Sequence, residues 1–158
     1  MATSTNFGKS ELMPGRDRPI RFLLVEDDED HAFLVRRAMR DSRFGSLIDR
    51  VEDGQDALDY LNRAGAHKGA ERPDVVILDL KMPGIDGHEV LAAIKADAQL
   101  SAIPVVILTT SRADADRARA YASHANSYLV KPLDFDQLTT LVADLDRYWA
   151  GWNEPPSV

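Results

Sequence analysis

Five short apolar runs recur along the chain, each separated from the next by a segment with helical periodicity. They are IRFLLV (20–25), LIDRV (47–51), DVVILDL (74–80), IPVVILT (103–109) and SYLVK (127–131). Their length and their β-branched or leucine-rich make-up suit strands rather than helices. The intervening segments are too long for hairpins and long enough for helical crossovers, so a parallel sheet is expected. The first, third and fourth runs carry few or no charges and belong mid-sheet, covered on both faces. The second and fifth are shorter and more polar, as edge strands are. Strands one, three and four inside and two and five outside fit the order 2-1-3-4-5 of a doubly wound, five-stranded α/β sheet.

The helical segments carry their own signals. Leu34, Val35, Ala38 and Met39 recur at helical spacing after the acidic turn at 26–30. Asp86 with Glu89 reads as a capping box ahead of Val90, Leu91 and Ile94, and Ser111 with Asp114 repeats the pattern before an alanine-rich helix ending near His124. Asp134 with Gln137 opens a last helix whose Phe135, Leu138, Leu141, Leu145 and Trp149 form a core stripe. A second helix is expected from Asp56 to about Asn62, followed by a polar loop, RAGAHKGAERP, that is open to motion. Residues 1–18 are polar and aperiodic and read as a flexible arm; 19–149 form the domain; 150–158 read as a tail.

Composition narrows the function. A chain of 158 residues makes one domain of ordinary size, whose core needs no disulfide or structural zinc. Cysteine is absent, which excludes thiol chemistry and cysteine-ligated metals. Lys and Arg number 19 against 26 Asp and Glu, and the resulting formal charge of −7 disfavours nucleic acid and anionic membrane surfaces. No apolar run approaches the ~20 residues needed to span a bilayer, and the N-terminus has no apolar signal segment. A cytoplasmic location is expected. His31, His67, His88 and His124 are scattered, with no pair at metal-ligand spacing, and are read as surface or boundary residues.

Chemistry is expected where open α/β sheets bind ligands, at the carboxyl ends of the inner strands. There the first strand ends in Glu26, Asp27 and Asp28, the third runs into Asp79, the fourth ends at Thr109, and the fifth at Lys131 and Pro132. Strands one and three are neighbours at the switch point of the topology, so Glu26, Asp27 and Asp79 should converge. Close carboxylates raise one another's pKa unless a cation lies between them, and all-oxygen ligation suits Mg²⁺ or Mn²⁺. A divalent ion, a lysine and a hydroxyl around one carboxylate would stabilise a transferring phosphoryl group, with Asp79 as nucleophile. Asp28, Glu29 and Asp30 are read instead as a helix cap and its first-turn acids.

LLVEDDED, LDLKMPGIDG, VVILTTS and SYLVKP, in that order and spacing, resemble the receiver domains of two-component response regulators over about residues 19–149. The resemblance implies a (βα)5 flavodoxin-like, CheY-like fold and a phosphoryl group accepted on Asp79 from a histidine kinase. It implies metal ligation by Asp27, Asp79 and the backbone carbonyl of Lys81, with Glu26 acting through water. Many receivers have Asp where Glu26 stands. Lys131 would pair with phosphoryl oxygens, the bond to Pro132 would be cis, and Thr109 with Tyr128 would form the switch pair. Lys81 and Ser111 match positions that tune phosphoryl lifetime. A narrower likeness, in DALDYLN, IPVVILTTS, YASHANSYLVKP and the Phe135 to Tyr148–Trp149 pattern, is to small regulators paired with bacterial phytochrome kinases. Trp149 and Trp152 are candidates for docking a partner or closing the core.

Only 26 residues follow Pro132, so no output domain is expected, and signalling would pass through protein contacts. Partners implied are a sensor histidine kinase, a histidine phosphotransfer protein, and a second copy through the fourth helix, fifth strand and fifth helix or the C-terminal segment. Two other readings stand beside this one. A Mg²⁺-dependent phosphohydrolase with an aspartyl-phosphate intermediate would need an acid two residues after its nucleophile, where this chain has Lys81. A degenerate receiver kept as a docking module would not need Asp79, Thr109 and Lys131 intact. On the favoured reading the protein is not an enzyme, beyond transfer to and hydrolysis from its own side chain.

Overall fold

The computed structural model describes residues 18–156. The expected arm therefore lies outside the described residues except for Arg18, whose guanidinium is held by Asp74 at 2.7 and 2.8 Å. Five strands, β1 (Arg21–Val25), β2 (Leu47–Val51), β3 (Val75–Leu78), β4 (Val105–Thr109) and β5 (Ser127–Val130), form one parallel sheet in the order β2-β1-β3-β4-β5. Five helices connect and close it: α1 (Glu29–Arg40), α2 (Gly54–Asn62), α3 (Gly87–Ala96), α4 (Asp114–Ala122) and α5 (Phe135–Asp146).

The alternation of a β-strand divides the core in two. Phe22, Leu24, Ile77 and Leu108 point to α1 and α5, meeting Val35, Met39, Val142 and Trp149. Leu23, Val25, Leu78 and Ile107 point to α2, α3 and α4, meeting Ala57, Leu91, Ile94 and Ala120. Every residue of β3 and β4 is buried, which is why those runs read as continuously apolar. Burying each large side chain contributes about 1.5–3 kcal/mol.

Helix starts follow the capping rule in four of five cases. Asp28, Asp53, Asp86 and Asp134 each accept the backbone N–H three residues ahead. Asp28 as a cap and Glu29 and Asp30 in the first turn of α1 agree with expectation. Helix α2 begins at Gly54 behind Asp53, two residues earlier than its pattern suggests. The exception is α4, which starts behind Ala113 with no side-chain cap. Ser111, expected to cap it, instead gives its hydroxyl to Asp116.

Other expectations need correction. The Lys131–Pro132 bond is trans, since the described chain has no cis peptide. Trans is the intrinsically favoured form of an X–Pro bond by about 0.5–1 kcal/mol, and Lys131 reaches its carboxylate partners from it. Phe135 is 47% exposed, because its place immediately after the cap turns it outward, and Val142 takes its place in the stripe. The C-terminal segment is not a loose tail from residue 150: α5 runs on as a π-helical stretch, Arg147–Trp152, that buries Trp149, Ala150 and Gly151. Gly151 is pressed against the Phe44 ring, where a β-carbon would lie 3.0 Å from Cζ. The loop after α2 is tethered as well, through a 3₁₀ turn, Gly65–His67, whose His67 Nε2 lies 2.7 Å from Asp56.

Candidate functional site

Register brings the acidic residues together. Val25 of β1 pairs with Leu78 of β3, and the Asp79 N–H donates to the Val25 carbonyl, so Glu26 and Asp79 leave adjacent strands side by side. Across the sheet, Thr109 pairs with Val130, and the Lys131 N–H donates to the Thr109 carbonyl. Glu26, Asp79, Thr109 and Lys131 are all buried at this end, while Asp27 faces solvent.

Lys131 is the centre of the cluster. Its Nζ lies 2.6 Å from Glu26 Oε2, 3.0 Å from Asp79 Oδ2 and 3.0 Å from His31 Nδ1. Three N–H groups thus meet three acceptors, which requires the lone pair of His31 to be at Nδ1. The remaining carboxylate oxygens are held by the backbone: the Asp28 N–H donates to Glu26 Oε1 and the Lys81 N–H to Asp79 Oδ1. Burial, aided by the Asp79 charge, pushes the Glu26 carboxyl up to about 7 against the pull of Lys131. Burial alone would lower the Lys131 pKa, but Glu26 and Asp79 outweigh it and the ammonium is held above its ordinary value.

Glu26, Asp27 and Asp79 each present an oxygen within 4.8 Å of the others. Three carboxylates against one ammonium leave an excess of negative charge in a largely buried site. This donor set of oxygen ligands alone fits a hard divalent cation. Asp27 is the solvent-exposed member of this set. Arg50 braces this loop, donating to the carbonyls of Glu26 and Asp27 and pairing with Glu29 at 2.9 Å.

The loop after Asp79 is shaped by Gly87. A β-carbon there would collide with the Asp79 carbonyl oxygen and lie 2.6 Å from Leu80 Cα. The Gly87 N–H bonds the Leu80 carbonyl at 3.0 Å, fixing the start of α3 against this loop.

Thr109 is fully buried and accepts the Ser111 N–H at Oγ1, 3.3 Å away. Tyr128 is turned into the protein: its hydroxyl donates to the Ser111 carbonyl at 3.0 Å, its ring packs on the core, and the Arg117 guanidinium lies 5.9 Å from the ring centroid. The Lys81 side chain is exposed, and Ser111 is buried. Glu26, Asp27, Asp79, Lys81, Thr109, Ser111 and Lys131 therefore lie at the carboxyl ends of the strands or in the turns that follow them. His31 is a half-buried boundary residue, as expected, and its contact is Lys131. His88 departs from expectation: it is buried on α3 with Nε2 3.1 Å from Asp116. A lone histidine in a helix pattern carries no signal for either role.

Comparison with known proteins agrees with this geometry. The family model "Response regulator receiver domain" matches residues 22–143. The Probable methanogenesis regulatory protein FilR2 of Methanothrix harundinacea is 49% identical over 140 residues, 87% of this chain and 88% of its own length. The response regulator Rcp1 of Synechocystis sp. is 36% identical over 131 residues, 83% of this chain and 89% of its own. The Mn²⁺-bound structure of Rcp1 superposes with a TM-score of 0.84 at 34% identity, over 88% of this chain and 100% of that one. The phosphorylated cyanobacterial phytochrome response regulator RcpA does so with a TM-score of 0.86 at 36% identity, over 89% and 100%.

Proposed function

The chain belongs to the response regulator receiver domain family, and from that membership we propose that Asp79 is its phosphoacceptor, charged by the phosphohistidine of a sensor kinase. The observation that carries this reading is the Lys131 ammonium held between Glu26 and Asp79 at the carboxyl ends of the central strands. In the transfer, an Asp79 carboxylate oxygen forms a bond to phosphorus as the N–P bond of the phosphohistidine breaks, and the imidazole leaves with the bonding pair. In the reset, water attacks phosphorus, the O–P bond to Asp79 breaks with the pair returning to the carboxylate, and inorganic phosphate is released.

Each residue has a part in this. Lys131 leaves Asp79 Oδ2 for a phosphoryl oxygen while its bonds to Glu26 and His31 keep it in reach. Thr109 donates its hydroxyl to another oxygen, and Tyr128 responds to the movement of Thr109 through Ser111. Lys81 and Ser111 flank the acceptor and govern the approach of water. Asp27 and Asp79, with the Lys81 carbonyl and with Glu26 through water, would hold Mg²⁺ or Mn²⁺, which supplies positive charge to phosphoryl oxygens.

The partner follows from the family: a sensor histidine kinase, and within that class a phytochrome-type one, as the likeness to Rcp1 and RcpA supports. A histidine phosphotransfer protein offers the same phosphohistidine chemistry. A second copy is the proposed occupant of the α4-β5-α5 face. That face carries a groove of about 680 Å³ lined by Leu129, Pro132, Leu141, Leu145 and Tyr148, and Tyr121 on α4, Leu133 before α5 and Trp152 after it are exposed. No helix of the described residues is long and apolar enough to cross a membrane, which is compatible with a cytoplasmic site of action. The signal is the charge state of Asp79 itself, so no external substrate is turned over.

Phosphotransfer from an autophosphorylated phytochrome-type kinase tests the proposal. Label should pass to the wild type and not to Asp79→Asn. Label on both would place the acceptor elsewhere, and steady hydrolysis of a simple phosphomonoester by the wild type would favour a phosphohydrolase instead.

A further inference from the structure

His88 is an unusual residue to find where it is. It is 5% exposed on the core-facing side of α3, and its Nδ1 is buried with no hydrogen-bond partner. Burying an imidazole nitrogen unpaired costs free energy that an apolar side chain at the same place would avoid. Its other nitrogen shows what is gained. Nε2 meets Asp116 Oδ1 on α4 at 3.1 Å, and the second oxygen of that carboxylate accepts the Ser111 hydroxyl. The Ser111 N–H in turn donates to Thr109 Oγ1, and its carbonyl accepts the Tyr128 hydroxyl. At the opposite end, His88 follows Gly87, which is fixed against Asp79 and Leu80 by a hydrogen bond and by close backbone contact.

The contacts therefore form a continuous chain. It leaves the acceptor through the loop after β3, crosses from α3 to α4 by His88 and Asp116, and returns through Ser111 to the hydroxyl and ring that respond to the phosphoryl group. One carboxylate thus ties α3 to α4 and to the turn that leads into α4. We propose that His88 and Asp116 are positioning residues for phosphoryl retention: together they hold the turn between β4 and α4 at a fixed distance from the acceptor loop, so that Thr109 stands ready to donate. This rests on Asp79 being the acceptor, as proposed above. Neither residue touches the phosphoryl group, and both act through Ser111.

Removing Asp116 frees the Ser111 hydroxyl, and removing His88 unties Asp116 from α3; either change loosens the turn that holds Thr109 and shortens the life of the phosphorylated state. Networks of this kind modulate distant events by roughly two- to thirty-fold, and about five-fold faster loss is expected here. The test follows decay of the phosphorylated mass after acetyl phosphate is removed, in wild type, His88→Leu, Asp116→Ala, the double variant and His88→Gln. His88→Leu and Asp116→Ala should each shorten the lifetime, the double variant no further than either alone, and His88→Gln, which keeps a donor toward Asp116, should restore it to within about two-fold. Additive losses, or equal lifetimes in all five, would overturn the strut. A wild type that takes no label would instead overturn Asp79 as acceptor, a separate failure. Asp116→Ala, at a half-exposed position, keeps the test decisive if His88→Leu does not fold.

Discussion

At the scale of single residues, the site is built on charges that cannot be left alone. Lys131 separates two buried carboxylates, so Lys131→Met should destabilise the metal-free protein by about 3–5 kcal/mol, the cost of breaking a buried pair by removing one partner. A divalent ion would take over its role, and thermal unfolding with and without Mg²⁺ should show a larger Mg²⁺-dependent gain in the variant than in wild type. Equal gains would mean the ion binds away from these carboxylates. Asp116 gives a pH prediction. The Ser111 hydroxyl first, and His88 second, hold its carboxyl below the ordinary 3.8. A depressed folded-state pKa contributes stability above 3.8 that is lost as pH falls through the lower value. Asp116→Asn should therefore flatten the acid limb of a stability profile below about pH 4; an unchanged slope would contradict this contact. Asp79, Asp27, Thr109 and Lys131 were legible as residues because acids, a hydroxyl and a lysine at the ends of apolar strands have few other reasons to be there. His88 was not legible, since its partner lies 28 residues away and nothing local separates a buried imidazole from a surface one.

At the scale of elements, local rules worked where the local partner won. Asp86 and Asp134 cap α3 and α5 through the N–H three residues on, as their spacing implied. Replacing Asp134 with alanine should cost about 0.5–2 kcal/mol in chemical denaturation; no loss would show that the cap is redundant. Ser111 carries the same local pattern but gives its hydroxyl to Asp116, two residues beyond Asp114, and so leaves α4 without a side-chain cap. The π-helical extension of α5 was equally hidden, because Gly and Trp after a helix suggest an end, whereas Trp149 and Ala150 join the core and Gly151 packs on Phe44 from the loop after α1, far away in sequence. Gly87 shows an element fixing the site. Gly87→Ala drives a methyl group into the Asp79 carbonyl, so labelling of Asp79 should fall at least ten-fold while an alanine at the exposed, open Gly69 changes nothing. Equal labelling of both variants would show that the acceptor loop tolerates being moved.

At the scale of the whole molecule, the strand order was readable because burial differs so sharply between β3 or β4, buried throughout, and β2 or β5, which are not. That order puts strands one and three together, and their junction makes the acidic site. What the chain meets was less readable, since a groove on β5 and α5 is assembled from residues that each look like core. Sedimentation should find a dimer through this face, and Leu133→Asp should dissociate it; a wild type that stays monomeric at high concentration contradicts that surface. The most direct test of the whole account is intact-mass spectrometry after incubation with acetyl phosphate. One added phosphoryl group that requires both Mg²⁺ and Asp79, and is absent from Asp79→Asn, is the predicted result. No adduct on the wild type, with beryllofluoride also failing to bind, would contradict it and leave a docking module with an acidic end.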